Sequence, residues 1–180
     1  MNNYFIHDNL FDFRFLNEIG HGLLNSPWLT DNVANRNRWP YFESGTHRLL
    51  GNLIFKQNLD EIYENKNHSL FNVFLSTADF LKGKFLNENK KLKEIYTNLQ
   101  FKGMDGTFHV DGEESEVSFV WMLTHEPVLK NIGGDFLFYP NEKINFLNGR
   151  IIQFSAEKKH KGLSFKKNNI CRFSVKFLFS

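Results

Sequence analysis

Apolar residues recur at about four-residue spacing at Phe11, Phe15, Ile19 and Leu23, and again at Leu70, Val73, Phe74, Thr77 and Leu81. Both runs place their apolar side chains on one face of a helix. The first predicts a helix that Gly20 and Gly22 weaken or end, because glycine inside a helix costs about 1 kcal/mol against alanine. The second predicts a helix over Ser69–Leu86 with Ser69 as its cap. Tyr4-Phe5-Ile6 is a short strand candidate closed by His7-Asp8-Asn9. From Ser26 to Gly45 the chain is rich in Asn, Pro, Arg and Trp and follows neither period. That stretch predicts a long loop, a candidate lid whose Arg36, Arg38, Trp39 and Tyr41 are available for substrate contact.

From Leu92 onward the pattern changes to short strands between turn signals. Candidates are Glu94–Phe101, Gly106–Asp111, Val117–Leu123, Asp135–Tyr139, Arg150–Phe154, Leu163–Phe165 and Cys171–Phe179. Gly112, Gly133-Gly134, Pro140-Asn141, Asn148-Gly149 and Asn168-Asn169 punctuate them. Many short strands at this spacing predict a sandwich or a jelly-roll barrel. The chain then reads as one domain over 1–180, mainly β with supporting helices (α+β). Residues 1–92 form the N-terminal support and 93–180 the β core.

The last strand is the most informative by pattern. Phe173, Val175, Phe177 and Phe179 make one face, and Arg172, Ser174, Lys176 and Leu178 the other. If the apolar face packs on the helices, Arg172 and Ser174 project into the barrel. An interior guanidinium is costly unless it meets an anion.

Composition bounds the picture. With 180 residues, 41% hydrophobic and 21 of them phenylalanine, the chain has ample core for one domain. A net charge of +2 gives no ground for nucleic-acid binding, and the pairs Lys90-Lys91, Lys158-Lys159 and Lys166-Lys167 read as solvated loop charge. Cys171, the only cysteine, excludes an internal disulfide and reads as a buried, inert thiol. The polar N-terminus does not look like a signal peptide, and no run approaches the ~18 apolar residues of a membrane span. The expectation is a cytoplasmic, reducing setting, in the host cell if the protein is viral.

Of the seven histidines, only His109 is followed two residues later by an acid. On an extended segment His109 and Asp111 point to the same side. His160, from a later strand–turn region, would complete two histidines and a carboxylate on one side of a metal. That set leaves coordination positions open and suits non-haem iron(II). The plain alternative for His109 and Asp111 is a strand-end hydrogen-bonded pair. His125-Glu126-Pro127 falls in a loop and is expected at the surface. His7, His21, His47 and His68 carry no spacing signal. Arg150 is expected to start a strand or pair with a loop acid, and Trp121 to sit in the core or in a pocket wall against substrate.

Several segments together resemble the iron(II)- and 2-oxoglutarate-dependent dioxygenases, within them the prolyl 4-hydroxylase-like branch. They are Thr107-Phe108-His109-Val110-Asp111, Val117 to Leu123, Gly133-Gly134-Asp135-Phe136, Asn148 to Phe154, His160-Lys161-Gly162 and Cys171 to Phe177. They run in the family's order from near Leu99 to the C-terminus, and the Tyr4–Phe15 opening also looks like the family's entry.

The resemblance implies a double-stranded β-helix (jelly roll). It makes His109, Asp111 and His160 ligands of Fe(II), and it makes Arg172, with Ser174, the binder of the distal carboxylate of 2-oxoglutarate. The family often adds tyrosine hydroxyls to that pocket, but the matching positions here are Phe101 and Met122; Ser118 and Gln100 are the candidates to compensate. The implied reaction uses O2, with ascorbate a candidate reductant, and couples decarboxylation to succinate with hydroxylation of a substrate carbon. Asp111 in place of Gly or Ala argues against the halogenating variant. Peptidyl proline, a free amino acid or another small molecule remain open as substrate, and oligomeric state is silent. A non-catalytic cupin-like jelly roll binding a metal or a sugar is the alternative, against which Arg172-Phe173-Ser174 speaks, because a lectin needs no interior anion anchor.

Overall fold

A computed structural model describes residues 4–34, 47–58, 60–126 and 132–180. Thirteen elements follow in order: β1 (Tyr4–His7), α1 (Phe13–Leu24), β2 (Leu29–Ala34), β3 (His47–Gln57), β4 (Ile62–Glu64), α2 (Phe71–Phe85), β5 (Leu92–Gln100), β6 (Val117–Leu123), β7 (Phe136–Phe138), β8 (Glu142–Ile144), β9 (Ile151–Ser155), β10 (His160–Gly162) and β11 (Arg172–Phe179). An eight-stranded sheet has the order β1-β9-β6-β11-β5-β3-β2, with β4 paired to β3, and a three-stranded sheet has the order β10-β7-β8. Every strand pair is antiparallel. The arrangement is the jelly roll that the sequence predicts, braced by two helices.

The large sheet is buried on both faces at its centre, which explains why β6 reads as an almost continuous apolar run. One face takes the helices. Leu16, Ile19 and Leu23 of α1 and Phe71, Phe74, Ala78 and Leu81 of α2 pack on Phe119, Trp121, Leu123, Phe173, Val175, Phe177 and Phe179. Each phenylalanine removed from water there contributes roughly 1.5–3 kcal/mol. The other face meets the small sheet: Val120 and Met122 of β6 and Ile152 and Phe154 of β9 pack on Phe136, Phe138 and Ile144. β11 divides as its alternation predicts, phenylalanines to the helices and Arg172, Ser174 and Lys176 to the barrel.

Several expectations are corrected. Helix α1 runs through Gly20 and Gly22 to Leu24. A Cβ at Gly20 would lie 2.5 Å from the Thr124 carbonyl oxygen, so glycine there lets the helix lie against the chain after β6. Asp12 caps α1, its Oδ1 accepting from Phe15 N. Ser69 does not cap α2: the N-cap is Leu70, without a side-chain hydrogen bond, and Leu70 N instead donates to His68 Nδ1. β2 occupies part of the expected loop, while Arg36, Arg38, Trp39 and Tyr41 lie outside the described residues. Gly106–Asp111 is a looser segment than a regular strand, joined to β10 at a single bridge. β10 itself begins at His160, three residues before the expected Leu163.

Trp121 is not a pocket wall. It is fully buried on the helix side, against Phe11 and Phe15, because it shares alternation with Phe119 and Leu123. His125 is not a surface residue either: its side chain is 9% exposed and its Nδ1 lies 3.5 Å from Cys171 Sγ. Burial, opposed in part by Glu126, pulls its imidazolium below the usual histidine range. Cys171 is buried, which pushes its thiol up to about 12 and suits the inert reading. Arg150 closes a two-pronged ion pair on Asp8, tying the start of β9 to the chain after β1.

Candidate metal centre and guanidinium cradle

His109 and His160 face each other across an antiparallel bridge and exchange both backbone hydrogen bonds, at 3.0 and 2.9 Å. Directly opposed residues share a face, so the two imidazoles enter the barrel side by side, ring centres 4.6 Å apart. Asp111, two residues beyond His109, is anchored by its backbone N–H on the Ala156 carbonyl. Its Oδ1 lies 3.8 Å from His109 Nε2 and its Oδ2 lies 3.5 Å from His160 Nε2. One ligand atom from each of the three falls within 4.8 Å of the others. Among the described residues no other His, Cys, Asp and Glu group has this geometry.

The surrounding bonds aim these atoms. His109 Nδ1 lies 2.9 Å from the Thr107 carbonyl, and His160 Nδ1 lies 2.8 Å from that of Lys158. A carbonyl can only accept, so each Nδ1 carries hydrogen and each Nε2 presents its lone pair. Phe136, Phe138 and Phe154 wall the His160 ring. This burial, only partly opposed by Asp111, pushes its imidazolium down to about 4, which keeps it in the neutral, ligating form.

For Asp111, burial alone would raise the carboxyl. Lys176 foremost, then the two imidazoles and the Ser118 hydroxyl, reverse that and hold it well below the usual carboxylate range. Ser118 Oγ donates to Asp111 Oδ2 at 2.8 Å. Two imidazole nitrogens and a fixed carboxylate on one side form a donor set that fits a divalent first-row metal.

Arg172 enters the same barrel from β11 and is 2% exposed. Its cross-strand neighbour on β5 is Gln100, whose Oε1 accepts from Arg172 Nη1 at 2.6 Å. Gln100 Nε2 in turn donates to the carbonyls of Met104 and Gly162. Arg172 Nε donates to the Gly134 carbonyl at 3.0 Å. Gly134 has φ +80°, and a Cβ there would lie 2.3 Å from the Phe165 ring. A Cβ on Gly162 would come within 2.9 Å of the guanidinium. Two neutral acceptors thus hold the charge, and the buried Nη2 has no hydrogen-bond partner among the described residues. Burial, against the pull of Asp135, lowers the guanidinium to about 10. Such a group fits an anionic ligand brought from outside the chain.

The structure therefore brings together His109, Asp111, His160, Arg172, Ser174, Ser118 and Gln100 on the barrel side. Ser174 is 7% exposed, one alternation along from Arg172. Of the two candidates to compensate for the missing tyrosines, Ser118 donates to Asp111 and Gln100 accepts from Arg172. Met122 is packed in the barrel core, whereas Phe101 is 46% exposed.

Lys176 and Glu94 were not singled out by the sequence. Lys176 Nζ is 3.4 Å from Asp111 Oδ1 and 2.8 Å from Glu94 Oε1. The available signal was parity, since Lys176 shares the polar face of Arg172 and Ser174.

No family model matches the chain, and no curated protein matches it. Solved structures do. A 2OG-Fe(II) oxygenase family oxidoreductase from Burkholderia pseudomallei aligns over 99% of this chain and 85% of its own, with TM-score 0.71 and 16% identity. The fold is that of the 2OG-Fe(II) oxygenases. A prolyl hydroxylase from Trichoplax adhaerens, solved with a hypoxia inducible factor peptide fragment, aligns over 99% of this chain and 84% of its own (TM-score 0.67, 14% identity). The viral collagen prolyl hydroxylase of Paramecium Bursaria Chlorella virus-1, in its 2OG complex, aligns over 99% of this chain and 96% of its own (TM-score 0.60, 14% identity). Each of these alignments covers 99% of this chain.

Proposed function

We propose that the protein is an iron(II)- and 2-oxoglutarate-dependent dioxygenase of the prolyl 4-hydroxylase-like type. The observation that carries this reading is Arg172, a buried guanidinium with an unpartnered Nη2, entering the same barrel as the two imidazoles and Asp111. A barrel that only held a metal or a sugar would have no use for it.

In this reading His109 and His160 hold iron through Nε2 and Asp111 through its carboxylate. When bound, the metal supplies activation of O2 coupled to oxidative decarboxylation of the co-substrate, with ascorbate a candidate reductant. Arg172 binds the distal carboxylate of 2-oxoglutarate as a charge-assisted pair, with Ser174 beside it. Gln100 and the Gly134 carbonyl fix the plane of the guanidinium so that Nη2 points at the ligand. Ser118 fixes the Asp111 carboxylate. Phe136, Phe138 and Phe154 exclude water from the His160 side of the site.

As substrate we propose a peptidyl proline, by analogy with the prolyl hydroxylases of similar fold, with a free amino acid or another small molecule as further arms of a screen. The test is succinate release from protein loaded anaerobically with iron, run over peptide, amino-acid and nucleotide panels. Substrate-dependent succinate is expected. Undiminished succinate from the His109→Ala/Asp111→Ala double variant would sink the assignment. 2-Oxoglutarate added to the iron-loaded protein under nitrogen should also give a weak visible charge-transfer band, and a binding module of another kind would not.

A further inference from the structure

The proposed reaction leaves Lys176 without a role. Yet it is a lysine placed 3.4 Å from a carboxylate that the metal reading makes a ligand. Its side chain is 19% exposed, and the Glu94 side chain is 17% exposed. In the sheet, Lys176 lies opposite Val120 on β6, one alternation from Ser118, and opposite Tyr96 on β5, one alternation from Glu94. Two strands therefore converge on one carboxylate, and the third holds one of them: Ser118 donates to Asp111 Oδ2 while Lys176, paired with Glu94, faces Oδ1. Glu94 is itself shared, its other oxygen 3.9 Å from Lys56 Nζ. The charges in this row alternate from the barrel outward: Asp111, Lys176, Glu94, Lys56.

Resting on the reading above, we propose that Lys176, held by Glu94, is the charge-balancing partner of Asp111. Its ammonium offsets the ligand carboxylate, so a divalent metal keeps its charge for a dianionic co-substrate, and the affinity for the metal itself is lowered. A unit positive charge a few ångströms from a dication in a half-buried site is strongly repulsive, and Glu94 moderates that repulsion. Removing the cation and removing its moderator must therefore act in opposite directions on the metal. A lysine that merely oriented Asp111 would give a different sign, because its loss would loosen the metal.

The test uses Mn(II) as probe, titrated by the electron paramagnetic resonance of the free ion into wild-type protein, Lys176→Met and Glu94→Gln. Calorimetry then measures 2-oxoglutarate binding to each Mn(II)-saturated protein. Lys176→Met is expected to bind Mn(II) at least tenfold tighter and 2-oxoglutarate several-fold more weakly. Glu94→Gln is expected to bind Mn(II) several-fold more weakly. Weaker or unchanged Mn(II) binding in Lys176→Met overturns the proposal. If that variant does not fold, Glu94→Gln decides alone, and unchanged or tighter Mn(II) binding there overturns it. Wild-type protein that binds no Mn(II) sinks both this proposal and the metal-centre reading. Wild-type protein that binds Mn(II), with variants that leave its affinity unmoved, sinks the proposal only.

Discussion

Arg172 and Lys176 stand four residues apart on the same face of β11, and their surroundings are opposite. Arg172 is met by two neutral acceptors, the Gln100 amide oxygen and the Gly134 carbonyl, and its buried Nη2 has no partner among the described residues. Lys176 is met by two carboxylates. Burial lowers the guanidinium to about 10, with only Asp135 opposing it. Burial would lower the ammonium too, but Asp111 and Glu94 outweigh it and hold the lysine above its ordinary value. The contrast teaches how to read a buried cation. One whose charge is answered within the chain belongs to the fold and its site, whereas one whose charge is unanswered is arranged for a ligand.

That contrast can be broken by experiment. The largest effect belongs to Arg172→Met, which should raise the KM for 2-oxoglutarate roughly 10²–10³-fold, the scale of losing one partner of a desolvated charge pair. In the ligand-free protein the same change should leave the melting temperature level or higher, since it removes a buried charge that Asp135 offsets only in part. A clear fall in melting temperature would mean that the guanidinium is structural. Lys176→Met should do the reverse, lowering ligand-free stability by about 3 kcal/mol in denaturant titration because two carboxylates lose their cation. Equal stability of the two variants would erase the distinction.

Acid sharpens the same comparison at the ligands. His160 is held down to about 4 in the folded chain against the ordinary histidine value of 6.5, so the unfolded chain takes up its proton first. The stability from its neutral form is complete above about 6.5 and is lost as pH falls towards 4. Asp111, depressed in the folded state, adds a further loss at lower pH. Thermal melts of the metal-free protein across this range should slope downward toward acid, and His160→Gln should flatten the slope between 6.5 and 4. The smallest effect is expected from Gly162→Ala. Its Cβ would press the guanidinium from 2.9 Å, weakening 2-oxoglutarate several-fold while circular dichroism stays unchanged.

Much of this was legible in the sequence, because alternation carries through a sheet whatever its topology. β6, β9 and β11 fell close to their expected places, and the inward side of β11 followed from its phenylalanines. The same rule, applied to β6, would have put Trp121 on the helix side with Phe119 and Leu123. What stayed hidden depends on strand order. Glu94 precedes Lys176 by a long stretch of chain and meets it only because β5 and β6 flank β11. β2 was hidden for another reason: Leu29-Thr30-Asp31-Asn32-Val33-Ala34 has no alternation and its pairing with β3 is irregular. The Arg172 cradle uses backbone carbonyls and missing Cβ atoms, which leave no chemical label in a sequence beyond a glycine.

The bridge between His109 and His160 has one more consequence. The two ligands are matched by a pair of reciprocal backbone bonds rather than by the length of chain that separates them. A loop such as the turn at 139–141 can therefore lengthen, shorten or be exchanged without disturbing the metal geometry, provided that the two strands keep step. A one-residue slip at the bridge would turn one imidazole to the outer surface and abolish the centre in a single move. For anyone grafting new recognition loops onto this barrel, the segments leading to 109 and 160 are the ones to leave untouched.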